Sequence, residues 1–137
     1  IQGILQAPDR TCAKGLRDAA VLAILVEANL EVDQCLALLI GQHKDLALEA
    51  PTRDLVEAYL QQARPLWARP TTGKKLLFLN PYGGPLNNQT ARKALKKAAE
   101  LAGLSEAPSV KCLRRSYWAY IRGQSQGRLP SSFNRDL

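Results

Sequence analysis

Methionine is absent from the 137 residues, and there is a single histidine, His43. Cysteine is scarce and scattered: Cys12, Cys35 and Cys112 lie far apart, with no CxxC pair. An odd number of separated thiols argues against a disulfide framework and for free thiols in a reducing compartment. One histidine without clustered strong ligands cannot build a metal site, so neither a metal nor a cofactor is expected, and His43 reads as a loop or surface residue. Long apolar runs are missing too. The most apolar stretch, Ala19 to Val26, is bounded by Asp18 and Glu27, far short of the roughly 20 residues a membrane span needs. No secretory leader is visible. These absences predict no membrane partner and a cytoplasmic location, nucleoid-associated in a bacterium. Without a methionine, the chain reads as a piece of something longer.

What is present is ordinary in amount and uneven in charge. A chain of this length fits one domain with one hydrophobic core. Hydrophobic residues make up 46% and charged residues 23%, as in a soluble globular protein. Nineteen basic side chains against twelve acidic ones give a net charge of +7. Such an excess favours a polyanionic partner, because neutralising phosphates releases counterions from nucleic acid. Solubility alone is the plainer explanation of the same number.

The apolar periodicity predicts a mainly α-helical fold. Asp9 or Thr11 can cap a short opening turn before Lys14. Asp18 to Leu30 is apolar on nearly every side, the mark of a buried central helix. A second helix is expected from Asp33, carrying Cys35, Leu36, Leu38 and Leu39. Thr52 can cap a helix from Arg53 to Ala63 with Leu55, Val56, Tyr59 and Leu60 on one face. Pro65 and Pro70 bracket a connection containing Trp67. Leu76 to Leu79 reads as a short buried strand, followed by the turn signal Asn80-Pro81-Tyr82-Gly83-Gly84-Pro85. Asn88 is expected to cap a helix from Gln89 to Ala102 that Gly103 ends, and another helix is expected over Val110 to Ile121. Trp67, Phe78 and Trp118 read as core residues.

The stretch Ala28-Asn29-Leu30-Glu31-Val32-Asp33-Gln34-Cys35-Leu36-Ala37-Leu38 resembles the first catalytic box of the tyrosine recombinases, the phage-integrase family. Asn29 stands at the box's Gly, Leu30 at its Leu, and Leu36 and Leu38 near the closing leucines. Glu31 occupies the place of the first catalytic Arg. Further on, Leu77-Phe78-Leu79-Asn80, Gly83-Gly84-Pro85-Leu86 and the basic helix ending Ala102-Gly103-Leu104 resemble the segment before the second box. That box, usually His-x-Leu-Arg-His, reads here Lys111-Cys112-Leu113-Arg114-Arg115-Ser116-Tyr117-Trp118-Ala119. The resemblance covers roughly Lys14 to Ile121.

The resemblance implies a single helical domain like the family's catalytic domain, with a reduced or vestigial small β-hairpin at Ile40 to Pro51. It divides the chain into a lead-in (1–13), an integrase-like domain (14–122) and a C-terminal tail read as loop (123–137). It also implies the residues of the chemistry, and most are changed. In the family two Arg clamp a scissile phosphate while a Tyr attacks it. Here Arg114 matches the second Arg, Glu31 replaces the first, and Lys111 and Arg115 stand at the two His positions. Lys44 is a match for the hairpin Lys. The later Gly-His box is missing, and no Tyr follows Tyr120. Losing one oxyanion-type contact typically costs on the order of 10²- to 10³-fold in rate, and a carboxylate in its place should cost more. The expected catalytic set is therefore empty, with Glu31, Lys44, Lys111, Arg114 and Arg115 as remnant positions.

DNA binding is a separate expectation. Arg92, Lys93, Lys96 and Lys97 recur at i, i+1, i+4 and i+5, which gathers four cations on one helix face, with Ala91, Leu95, Ala98 and Leu101 nearer the other. With Lys111, Arg114 and Arg115 they form a candidate surface for the phosphates of double-stranded DNA. The expectation is a DNA-binding, non-cleaving relative of the recombinases, accessory to recombination or integration, with a homo-oligomer or a recombinase as further partner. The rivals are a protein-interaction module that has lost DNA, and a fragment of a larger site-specific recombinase.

Overall fold

The computed structural model describes residues 8–28, 30–69, 75–104, 109–115 and 119. Its centre is α1, Ala13–Glu27, in which every residue from Ala19 to Glu27 is buried. The all-round apolar stretch is thus the buried central helix, although it starts at Ala13 and stops at Glu27 rather than running from Asp18 to Leu30. The earlier start has a local cause. The Thr11 amide and hydroxyl both donate to the Asp9 carboxylate, and this turn delivers Cys12 to the N-cap, where its sulfur accepts the Gly15 N–H at 3.4 Å. Gly15 is required there: a Cβ would stand 1.9 Å from the Asp9 carbonyl oxygen.

Around α1 lie α2 (Val32–Leu36), α3 (Ala50–Gln62), the short α4 (Arg64–Trp67), α5 (Asn88–Leu101) and α6 (residues 110–115). α1 packs against α2, α3 and α5, and α2 also touches α5. α2 begins at Val32 with Glu31 at its N-cap, not at Asp33. α3 begins at Ala50 with Glu49 at its N-cap and Pro51 in its first turn, where a missing N–H does no harm. Thr52, expected as the cap, is instead buried and donates its hydroxyl to the Glu27 carboxylate. On α3, Leu55, Val56 and Tyr59 are buried together, as their spacing requires. Tyr59 meets Phe78 with ring centroids 5.3 Å apart. Trp67 is in the core, and the Arg17 guanidinium lies 5.3 Å from its ring centroid.

The β content reduces to isolated bridges among the described residues: Leu39 with Leu76, and Leu79 with Pro85. Residues Gln42–Asp45 form a 3₁₀ turn, so the region expected to hold a reduced hairpin pairs outward, through Ile40 N–H to the Lys75 carbonyl at 2.7 Å. Leu77, Phe78 and Leu79 are fully buried, and the turn after them is tied by Asn80, whose side-chain oxygen accepts from the Tyr82 and Gly84 amides. His43 is buried, contrary to the surface reading. Its Nδ1 accepts the Gly41 N–H at 3.3 Å and its Nε2 lies 3.4 Å from Glu57. A ring that accepts at one nitrogen and faces a carboxylate with the other is satisfied inside the fold.

α5 starts one residue before its expected position. Asn87, not Asn88, is the N-cap, its side-chain oxygen accepting the Thr90 N–H at 2.8 Å. Gly103, at φ +85°, follows the C-cap, the left-handed conformation that ends a helix at low cost with glycine. Leu101 is 61% exposed, so it belongs to the outer face and not to the buried one. Tyr117, Trp118 and Tyr120, residues 1–7 of the lead-in and the tail 123–137 lie outside the described residues.

Candidate nucleic-acid interface

α5 carries the clearest division of chemistry in the molecule. Ala91, Ala94, Leu95, Ala98 and Ala99 are buried, and these mostly small side chains let the helix approach α1 and α2 closely. Arg92, Lys93, Lys96 and Lys97 are all exposed on the opposite side. The helix interior therefore fixes which way the cations point. Position along the helix then separates them. Arg92 donates its Nε–H to Asn88, and Asn88 reaches across to Asp33 at 3.0 Å. Lys97 acts on Asp9 and Asp18 near the start of α1. Lys93 and Lys96 lie between these flanks, with exposed Glu100 a turn beyond Lys96. The acidic neighbours at the flanks come from far along the chain, and nothing in the linear pattern of α5 signals them.

The carboxyls at the α1 end respond to different forces. Asp9 is held below its ordinary value by the Thr11 hydroxyl and amide, with a smaller effect from Lys97. Asp18 is raised, because burial outweighs the adjacent Arg17 guanidinium, which binds it at 2.9 Å, and the more distant Lys97 and Lys14. Lys97 therefore acts on carboxyls at both Asp9 and Asp18.

The second-box segment is docked by its apolar side. Ser109 accepts the Cys112 N–H at 3.0 Å through its hydroxyl, Leu113 is 1% exposed, and Val110 packs on the core. Lys111 and Arg115, one helical turn apart, are both exposed. Arg114 points inward. Its Nε and Nη2 donate to the Leu25 carbonyl at 3.3 and 3.1 Å, and Nη2 also donates to the Leu30 carbonyl at 2.5 Å. The fold thus brings the two boxes together: the Arg of the second lies on the residue preceding Glu31 in the first.

Glu31 is exposed, and its N–H donates to the Gln34 side chain at 2.9 Å. The carboxylate marks the N-terminus of α2, a position that favours negative charge. Lys44 is exposed on the 3₁₀ turn. Cys35 is buried, and burial pushes its thiol up to about 12. Among the described residues no group of three or more His, Cys, Asp or Glu could hold a metal ion, and no helix is long and apolar enough to cross a membrane.

Comparison with known proteins finds recombinases among the relatives of this chain. Tyrosine recombinase XerD of Mycobacterium tuberculosis is 29% identical over 122 residues, covering 77% of this chain. XerD of Listeria monocytogenes is 27% identical over 137, covering 88%. XerD of Xanthomonas axonopodis is 30% identical over 143, again covering 88%. The chain is a relative of the tyrosine recombinases. It spans 39%, 46% and 47%, respectively, of the lengths of these relatives. No family model and no solved structure matches it. In this recombinase relative the Arg114 guanidinium and the residue before Glu31 are neighbours in space.

Proposed function

We propose that this recombinase relative binds the backbone of double-stranded DNA and does not cleave it. The solvent face of α5 carries the reading: an apolar underside locks Arg92, Lys93, Lys96 and Lys97 outward. Lys111 and Arg115, exposed on α6, extend the cationic set. Cations held in place by a packed helix bind phosphates at lower entropic cost than cations on a mobile loop. Contacts of this kind orient a protein on a duplex and carry no sequence information. The curated relatives are named as recombinases, so the process to which such binding belongs is recombination.

The absence of cleavage rests on Glu31. A carboxylate repels the non-bridging oxygens that the family's first Arg should stabilise, and a lysine and an arginine stand where the family has histidines suited to moving protons.

The test is a fluorescence-anisotropy titration with a duplex, repeated at stepped salt. The log of the affinity should fall linearly with log salt, by about 0.9 per phosphate contacted. The double variant Lys93→Ala and Lys96→Ala should flatten that line by about 1.8. No binding at about 50 mM salt, or an unchanged line for the double variant, overturns the proposed surface. A covalent protein–DNA adduct on a nicked suicide duplex overturns the absence of cleavage.

A further inference from the structure

The last turn of α1 presents a problem of hydrogen bonding. The Ile24 carbonyl receives the Ala28 N–H at 2.8 Å, the final bond of the helix. The next carbonyl, that of Leu25, lies beyond this last bond, yet Leu25 is only 2% exposed. Solvent has little access to such an acceptor, and leaving it unpaired is costly. Leu30, just before α2, also turns its carbonyl toward Arg114. Arg114 satisfies both carbonyls with one planar fork. A cation at a helix C-terminus also meets the negative end of the helix dipole.

We infer that Arg114 is an internal staple, closing the C-terminal end of α1 and fastening the second-box helix to the first box, and not a ligand of DNA phosphate. Its neighbours fit the assignment. Val110 and Leu113 bury the inner side of α6, and Arg114 adds polar bonds on that inner side, leaving Lys111 and Arg115 outward. The planar fork is essential, because it presents donors to two carbonyls at once; an ammonium on a flexible stem is a single point charge. The assignment also explains how the junction between boxes survives with Glu31 in it: the guanidinium is anchored on backbone carbonyls, which any residue at position 31 leaves in place.

The experiment compares the wild-type chain with Arg114→Ala and Arg114→Lys by thermal melting and by the Arg Nε–H resonances in NMR, with and without duplex. The DNA arm rests on the duplex binding proposed above, whereas the melting arm does not. For a staple, both variants should melt about 5–10 °C below wild type, and Arg114→Lys should keep the wild-type salt slope. The Arg114 Nε–H should be slow to exchange and should not move when duplex is added, while that of Arg92 shifts. An Arg114→Ala chain that does not fold supports the staple as well, since a surface phosphate ligand is dispensable for folding; Arg114→Lys then supplies the melting shift. The inference is overturned if both variants melt with wild type, or if duplex moves the Arg114 Nε–H and Arg114→Ala loses about 0.9 of salt slope with unchanged melting. If wild type binds no duplex, the proposed function fails while melting and exchange still decide the staple.

Discussion

The Glu27 carboxylate accepts the backbone N–H of Glu49 at 2.8 Å, so the last residue of the buried helix caps the first turn of α3. Thr52 donates its hydroxyl to the other oxygen of the same carboxylate. One side chain therefore ties together the two helices that pack most closely, and serves donors that α3 cannot satisfy within itself.

Burial raises the Glu27 carboxyl above its ordinary value of 4.5, outweighing the Thr52 and Glu49 donors, and the Glu49 carboxylate adds to the rise. A group raised in the folded state favours folding fully below its unfolded value and loses that contribution as pH climbs through the folded value. Relative to Glu27→Gln, which has no such titration, wild type should lose denaturant resistance as pH rises above about 4.5. Paired urea melts at stepped pH check this, and the difference between the two proteins removes the parallel effect of Asp18. A difference that is flat above that pH, or that grows with pH, contradicts the assignment.

Tyr59 makes a second buried tie. Its hydroxyl oxygen accepts the Leu79 N–H at 2.9 Å, between residues that are both fully buried. Tyr59→Phe keeps the ring against Phe78 but orphans that amide, which should cost about 1–3 kcal/mol. Chemical denaturation should show the loss as a lower midpoint with an unchanged slope. An unaltered midpoint would mean that another acceptor takes the amide.

Glu31 offers a test of charge at the junction that Arg114 holds closed. It is exposed, and its carboxylate and the Gln34 side chain form a capping box at the start of α2. Glu31→Arg should therefore lose about 1 kcal/mol of stability with that cap, yet bind duplex more tightly at low salt and steepen the salt dependence by about 0.9 if the new guanidinium meets a phosphate. Weaker binding by this variant would place the DNA-facing surface elsewhere.

Much of the fold was legible because periodicity reports burial. Ala19 to Val26 could only be an interior helix, and Leu55, Val56 and Tyr59 could only share a face. The boundaries were less legible, because several residue types can cap. Asn87 and Asn88 are chemically identical, and the choice between them turns on Asn88 reaching Asp33 across the fold. Thr52 looks like a cap, yet its hydroxyl goes to Glu27, twenty-five residues away. His43 read as a surface residue because its partners, Gly41 and Glu57, form no local motif.

For the candidate site, the amino-acid order by itself determined the cationic face of α5, the carboxylate at position 31 and the kinship of the two boxes. These follow from residue type and helical spacing, which are local. Only the tertiary structure decided where Arg114 donates. In sequence it is a basic residue in a stretch that resembles the family's second box. In the folded chain it lies beside two backbone carbonyls, at Leu25 and Leu30, that the end of α1 leaves without helical partners. A buried acceptor takes the nearest strong donor, and which donor is nearest is a property of packing that no local pattern encodes.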